Sequence, residues 1–114
     1  MKPSEALSLH RDAAVRVIES HRVCNARIFG SVVRGEDTDT SDLDILVDPT
    51  PETTLFDIGA IRYELRKLLG VPVDVLTPKA LPDNILAAVL VDARPLCRKG
   101  RHGSLTILST YSKR

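Results

Sequence analysis

Tryptophan is absent from this chain of 114 residues, and phenylalanine and tyrosine occur twice each, so aromatics make up only 4% of it. Its core must therefore be built from Leu, Ile, Val and Ala. Neither acidic nor basic residues are in marked excess. A net charge of +1 gives no electrostatic case for broad nucleic-acid binding. Two cysteines, Cys24 and Cys97, stand far apart without metal-ligand spacing and are expected as reduced thiols. His10, His21 and His102 are scattered, and none has ligand spacing. No apolar run approaches a membrane span, and the opening Met1-Lys2-Pro3-Ser4-Glu5 lacks a signal-peptide core, which points to a cytoplasmic protein. Neither Gly-x4-Gly-Lys-Ser/Thr nor Gly-x-Gly-x-x-Gly occurs, so phosphate-loop hydrolysis and dinucleotide redox chemistry fall away.

What is present suits one small domain over residues 1–98, followed by a basic and polar tail over 99–114. Three readings of the tail stay open: a frayed terminus, an extra strand, or a partner-binding arm. Apolar periodicity predicts a helix opening at Ser4 and Glu5, with Leu7, Ala14, Val17 and Ile18 on one face. A strand over 25–29 breaks at Gly30, and a short helical turn over 31–34 follows. Residues 36–41 read as a solvated loop that includes Asp37 and Asp39. A second strand spans 42–48. Pro51 suits the first position of the next helix, whose inward residues would be Leu55, Ile58, Ile61, Leu65, Leu68 and Leu69, closed by Gly70. A third strand over 71–76, a helix over 82–92 and a short last strand over 95–98 complete the order.

Chemistry concentrates around Asp42 and Asp44. At i and i+2 of an apolar strand they point the same way, and like charges so placed repel. A hard divalent cation such as Mg²⁺ resolves that conflict. The bland alternative is two solvated carboxylates on an exposed strand. Upstream, Gly30 and Ser31 end an apolar run where backbone N–H groups can face a phosphate, although Gly-Ser also suits a plain turn. Arg34 lies one turn further on, as a phosphate contact or a surface arginine. Gly35 reads as backbone geometry, and Ser41 as a loop cap or a hydrogen-bonding group near the metal. Asp74 is flanked by valines, and a buried carboxylate there needs a partner; a strand-end turn cap is the rival. Asp48 shares a face with Asp42 and Asp44 but lies too far along for direct ligation.

The run Phe29-Gly30-Ser31-x-x-Arg34-Gly35-x5-Ser41-Asp42-Leu43-Asp44, with Asp74 on a later strand, resembles the minimal nucleotidyltransferases of the DNA polymerase beta-like superfamily. The resemblance covers residues 20–98. It implies an α/β (α+β) fold, a small mixed sheet with helices mainly on one face. It also implies transfer of AMP from ATP to a hydroxyl, with Asp42, Asp44 and Asp74 holding two Mg²⁺ ions. Gly30, Ser31 and Arg34 would bind the nucleotide triphosphate.

Larger relatives bind the acceptor with a second domain, for which this chain has no length. The resemblance therefore implies a partner chain, a HEPN-type toxin modified on a tyrosine, with this protein as a type VII-like antitoxin in a homo- or hetero-oligomer. A non-catalytic module that masks a partner ribonuclease is the alternative. Self-modification at Tyr63 or Tyr111 is a third possibility.

Overall fold

A computed structural model describes residues 1–97 of the chain. The tail over 99–114, Arg98 of the expected last strand, His102 and Tyr111 lie outside the described residues. Helix α1 (Pro3–Glu19) leads to strand β1 (Val23–Phe29), the single turn α2 (Ser31–Arg34) and strand β2 (Leu43–Pro49). Helix α3 (Leu55–Leu69), strand β3 (Val73–Leu76), a 3-10 turn (Pro78–Ala80), helix α4 (Asp83–Asp92) and strand β4 (Arg94–Pro95) follow.

The four strands form one mixed sheet in the order β3-β2-β1-β4. β1 runs antiparallel to β2 and β4, while β2 and β3 are parallel, joined through α3. Alternation places Leu43, Ile45, Val47, Val73 and Val75 on one face, where they pack with Ala6, Leu7, Ala14, Val15 and Ile18 of α1 and Ile61, Leu65 and Leu69 of α3. This is the aliphatic core that the scarcity of aromatics demanded. The opposite face of β2 carries Asp44 and Asp48, and so the buried layer holds the acids from behind.

Three expectations need correction. Pro51 does not begin α3: Thr54 is its N-cap, accepting from the Asp57 N–H, while the Asp57 carboxylate accepts from the Thr54 N–H at 2.9 Å. This reciprocal pair out-competes proline as a start signal because it satisfies two otherwise orphaned donors. Leu55 then falls in the first turn and is 89% exposed instead of inward. Asp37 is not a solvated loop residue. It is buried and accepts the Ser4 N–H of α1 at 2.8 Å, satisfying a donor that the helix cannot pair internally. Asp39 is exposed as expected.

Gly70 closes α3 in the left-handed conformation (φ 70°), as its position in the sequence foretold. α4 differs from the other long helices: although it reads Ile85-Leu86-Ala87-Ala88-Val89-Leu90-Val91, none of its residues is buried.

Candidate active site

The parallel register of β2 and β3 sets Asp44 directly beside Asp74. Asp42 enters from the residue before β2, exposed where the other two are half-buried. One carboxylate oxygen from each of Asp42, Asp44 and Asp74 lies within 4.8 Å of the others. Burial first, then the charges of Asp74 and Asp42, push the Asp44 carboxyl up to about 6, with Arg34 acting in the opposite sense. Three hard oxygen donors set this close, with the charge of Asp44 disfavoured by its neighbours, fit a divalent cation, which would remove the conflict.

Gly30 forms the wall on the other side of Asp44. It adopts φ 83° and ψ −153°, and a Cβ there would sit 2.5 Å from Asp44 Oδ2. Both the backbone conformation and the space therefore require glycine. Ser31 opens α2, whose first N–H groups have no partner within the turn. Val33 and Arg34 donate back to the Gly30 carbonyl at 3.1 and 3.3 Å, which closes the turn.

Arg34 is more engaged than its sequence position suggests. Its Nε meets Glu36 Oε1 at 3.0 Å and its Nη1 lies 3.7 Å from Asp92 Oδ2 at the end of α4. The Glu36 hydrogen bond leads the causes that raise its pKa, ahead of a smaller opposing loss of hydration and the charges of Glu36, Asp92 and Asp44. Gly35 takes a left-handed φ of 72° at the end of the turn. Ser41 accepts the Thr38 N–H at 2.8 Å, the loop-capping reading of that residue.

Asp48 belongs to a different cluster. It binds Asn25 Nδ2 at 2.9 Å and Arg27 Nη2 at 3.1 Å, beside an irregularity in β1 where Asn25 adopts φ 55°. His21 also has a structural setting, between Asp57 at 3.5 Å and Glu64 at 3.2 Å.

Arg66 is the site-edge residue that sequence reasoning missed. From the last turn of α3 its Nε donates to the Val73 carbonyl at 3.1 Å, and its Nη2 lies 3.8 Å from Asp74 Oδ1. Its only signal was a basic residue near the end of a helix that returns directly to the strand of Asp74. Asp74 is half-exposed and not buried as the sequence suggested, and the long ion pair with Arg66 is its charged contact there.

The profile of the nucleotidyltransferase domain family matches residues 11–97. A protein of Methanocaldococcus jannaschii, provisionally named a protein adenylyltransferase, is 38% identical over 79 residues, covering 69% of this chain and 85% of that protein. A solved structure provisionally described as a minimal nucleotidyltransferase superposes with a TM-score of 0.74 at 38% identity, covering 82% of this chain and 95% of the other. A chain from a complex of a tri-AMPylated Shewanella oneidensis HEPN toxin with an MNT antitoxin shares the fold alone, with a TM-score of 0.60 at 15% identity over 86% of this chain and 77% of that one. No helix among the described residues is long and apolar enough to cross a membrane.

Proposed function

We propose a function that proceeds from one fact: the chain belongs to the nucleotidyltransferase domain family. Its finer activity is protein adenylylation, the transfer of AMP from ATP to a hydroxyl on a partner chain, in the cytoplasm where ATP is available. The partner is a HEPN-type toxin and the acceptor one of its tyrosines. The names of the M. jannaschii relative and the Shewanella complex support this reading. The observation that carries the nucleotide site is the convergence of Asp42, Asp44 and Asp74 beside the glycine wall at Gly30.

In this reading Asp42, Asp44 and Asp74 would hold two Mg²⁺ ions, Asp42 and Asp44 facing the nucleotide. The two ions, when bound, supply positive charge to the attacking and leaving oxygens. Gly30 and Ser31 seat the triphosphate against the head of α2, and Arg34 turns from Glu36 and Asp92 to a phosphate oxygen. The acceptor oxygen forms a bond to the α-phosphorus, and the bond from that phosphorus to the bridging oxygen of the β-phosphate breaks. Pyrophosphate leaves, and the hydroxyl proton passes to Asp74.

The test is incubation with Mg-ATP and the HEPN-type chain encoded beside it, followed by intact mass. The partner should gain about 329 Da for each AMP added. A partner of unchanged mass, neutralised nevertheless, would sink the catalytic reading. The protein incubated alone should keep its mass, which disposes of Tyr63, 63% exposed on α3, as a self-acceptor.

Masking of the partner is the second reading, and α4 favours it. Ile85, Leu90 and Val91 are exposed on a helix with no fully buried residue, a surface suited to a protein partner. An Asp42→Asn/Asp44→Asn double variant that still neutralised the partner fully would favour masking.

A further inference from the structure

The pair formed by Arg66 and Asp74 is too loose to be a structural tie. Its closest approach is 3.8 Å, and both side chains are nearly half exposed, at 50% and 43%. Exposed pairs of that geometry add little to stability. The base of the guanidinium is nonetheless fixed, because Nε donates to the Val73 carbonyl at 3.1 Å. Arg66 is thus tethered to the strand of Asp74 by one nitrogen, while its outer nitrogen faces a carboxylate of the trio. A cation shared by Asp44 and Asp74 would meet this positive charge at close range.

We propose that Arg66 is the resident counter-ion of Asp74, which weakens divalent-cation binding on the Asp74 side until a triphosphate is present to draw the guanidinium away. This inference rests on the nucleotide reading of the site and deepens it. A guanidinium is suited to the exchange, since its forked donors match a phosphate as well as a carboxylate. The triphosphate brings negative charge for both the entering cation and the displaced arginine, so cation loading follows nucleotide binding. Arg34 makes a similar arrangement on the opposite side, held by Glu36 and Asp92 instead of by the trio. Among the described residues, Arg66 is the arginine that forms an ion pair with one of the three acids.

The experiment is a Mn²⁺ titration followed by electron paramagnetic resonance, on the full chain, with and without a non-hydrolysable ATP analogue. Arg66→Gln should bind Mn²⁺ roughly 3- to 10-fold more tightly than wild type without nucleotide, the range expected for removing one screened positive charge near a divalent ion. Arg66→Lys, which keeps the charge, should stay close to wild type. With the analogue present the Mn²⁺ difference should shrink, while the affinity of Arg66→Gln for the analogue itself falls.

Equal or weaker Mn²⁺ binding by a folded Arg66→Gln, alongside binding that Asp42→Asn/Asp44→Asn abolishes, would overturn the role of Arg66 alone. Mn²⁺ binding indifferent to Asp42→Asn/Asp44→Asn would overturn the cation site and this inference with it.

Discussion

Asp44 and Asp74 are register partners across the parallel β2–β3 pair, and the residues on either side of them are core. Leu43 pairs with Val73 and Ile45 with Val75, and Leu43, Ile45 and Val73 are fully buried beneath α1 and α3. The juxtaposition of two carboxylates is therefore held by hydrophobic packing that has no stake in their charge. A slip of one residue would turn the aliphatic side chains out and the acids in, so the core that stabilises the fold also enforces the repulsion at the site. The energetic conflict at Asp44 belongs to the fold, and a cation is the means by which the fold can be relieved of it.

That conflict has a pH signature. The folded-state pKa of Asp44 is raised from 3.8 to about 6, so the folded state holds a proton there that the unfolded chain has released. Stability without divalent cations should fall as pH rises between these two values, and the penalty should be complete above the higher one. Asp44→Asn should accordingly stabilise the protein by about 1 kcal/mol near neutral pH, after discounting for solvent screening, and by nothing once Asp44 is protonated in both states. Chemical denaturation at three pH values in EDTA measures this. Added Mg²⁺ should raise the melting temperature of wild type and leave Asp44→Asn unmoved.

Gly30→Ala tests the wall beside that carboxylate. The added methyl would meet Asp44 Oδ2 at 2.5 Å from a backbone at φ 83°, so the turn must open or Asp44 must leave its place. A loss of about 1–3 kcal/mol is expected from the strained backbone and the close contact together. Nucleotide affinity should fall further than stability does. A variant that binds ATP as well as wild type would show that the head of α2 is no part of the nucleotide site.

The elements and the acids were legible in the sequence because each carries a local signal. The turn at Ser31–Arg34, the glycine stop at Gly70 and the alternation around Asp44 depend on neighbours a few residues away. What escaped depends on tertiary contacts. Asp37 reads as one more acid in a polar loop, and only the approach of α1 turns it into the acceptor for Ser4. Arg66 escapes notice in the sequence, because only the return of β3 brings the Val73 carbonyl to it. Pro51 failed for a different reason: a strong local signal lost to a stronger one three residues on, the reciprocal Thr54–Asp57 cap.

Asp37 carries a prediction of opposite pH sign to that of Asp44. Burial tends to raise its pKa, but hydrogen bonding to Ser4 and to its own backbone, with the charge of Lys2, more than offsets this and leaves it below the usual carboxylate value. Its contribution to stability is present above the unfolded-state pKa and is lost as pH falls through the folded one. Asp37→Ala should cost about 1–2 kcal/mol at neutral pH by orphaning the Ser4 N–H at the start of α1. Asp37→Asn, which keeps an acceptor, should cost less and flatten the acid limb of the stability curve. Equal losses from both variants at every pH would assign the effect to packing.

Asp48 supplies the control for the whole site. It shares β2 with Asp44, but its carboxylate is bound by Asn25 and by Arg27, whose side chain is 12% exposed. Asp48→Asn leaves that guanidinium without its counter-charge and should destabilise the protein by about 1–3 kcal/mol. Removing this negative charge should nevertheless leave Mn²⁺ affinity within a factor of about two of wild type, because a solvent-screened charge away from the trio contributes little field there. Asp42→Asn and Asp44→Asn should each lower that affinity more than tenfold, roughly the loss of one of three ionised ligands. The two kinds of acid thus separate on two axes, stability for Asp48 and cation binding for the trio. Comparable Mn²⁺ losses from all three variants would mean that the strand's overall negative charge, and not a built site, attracts the ion.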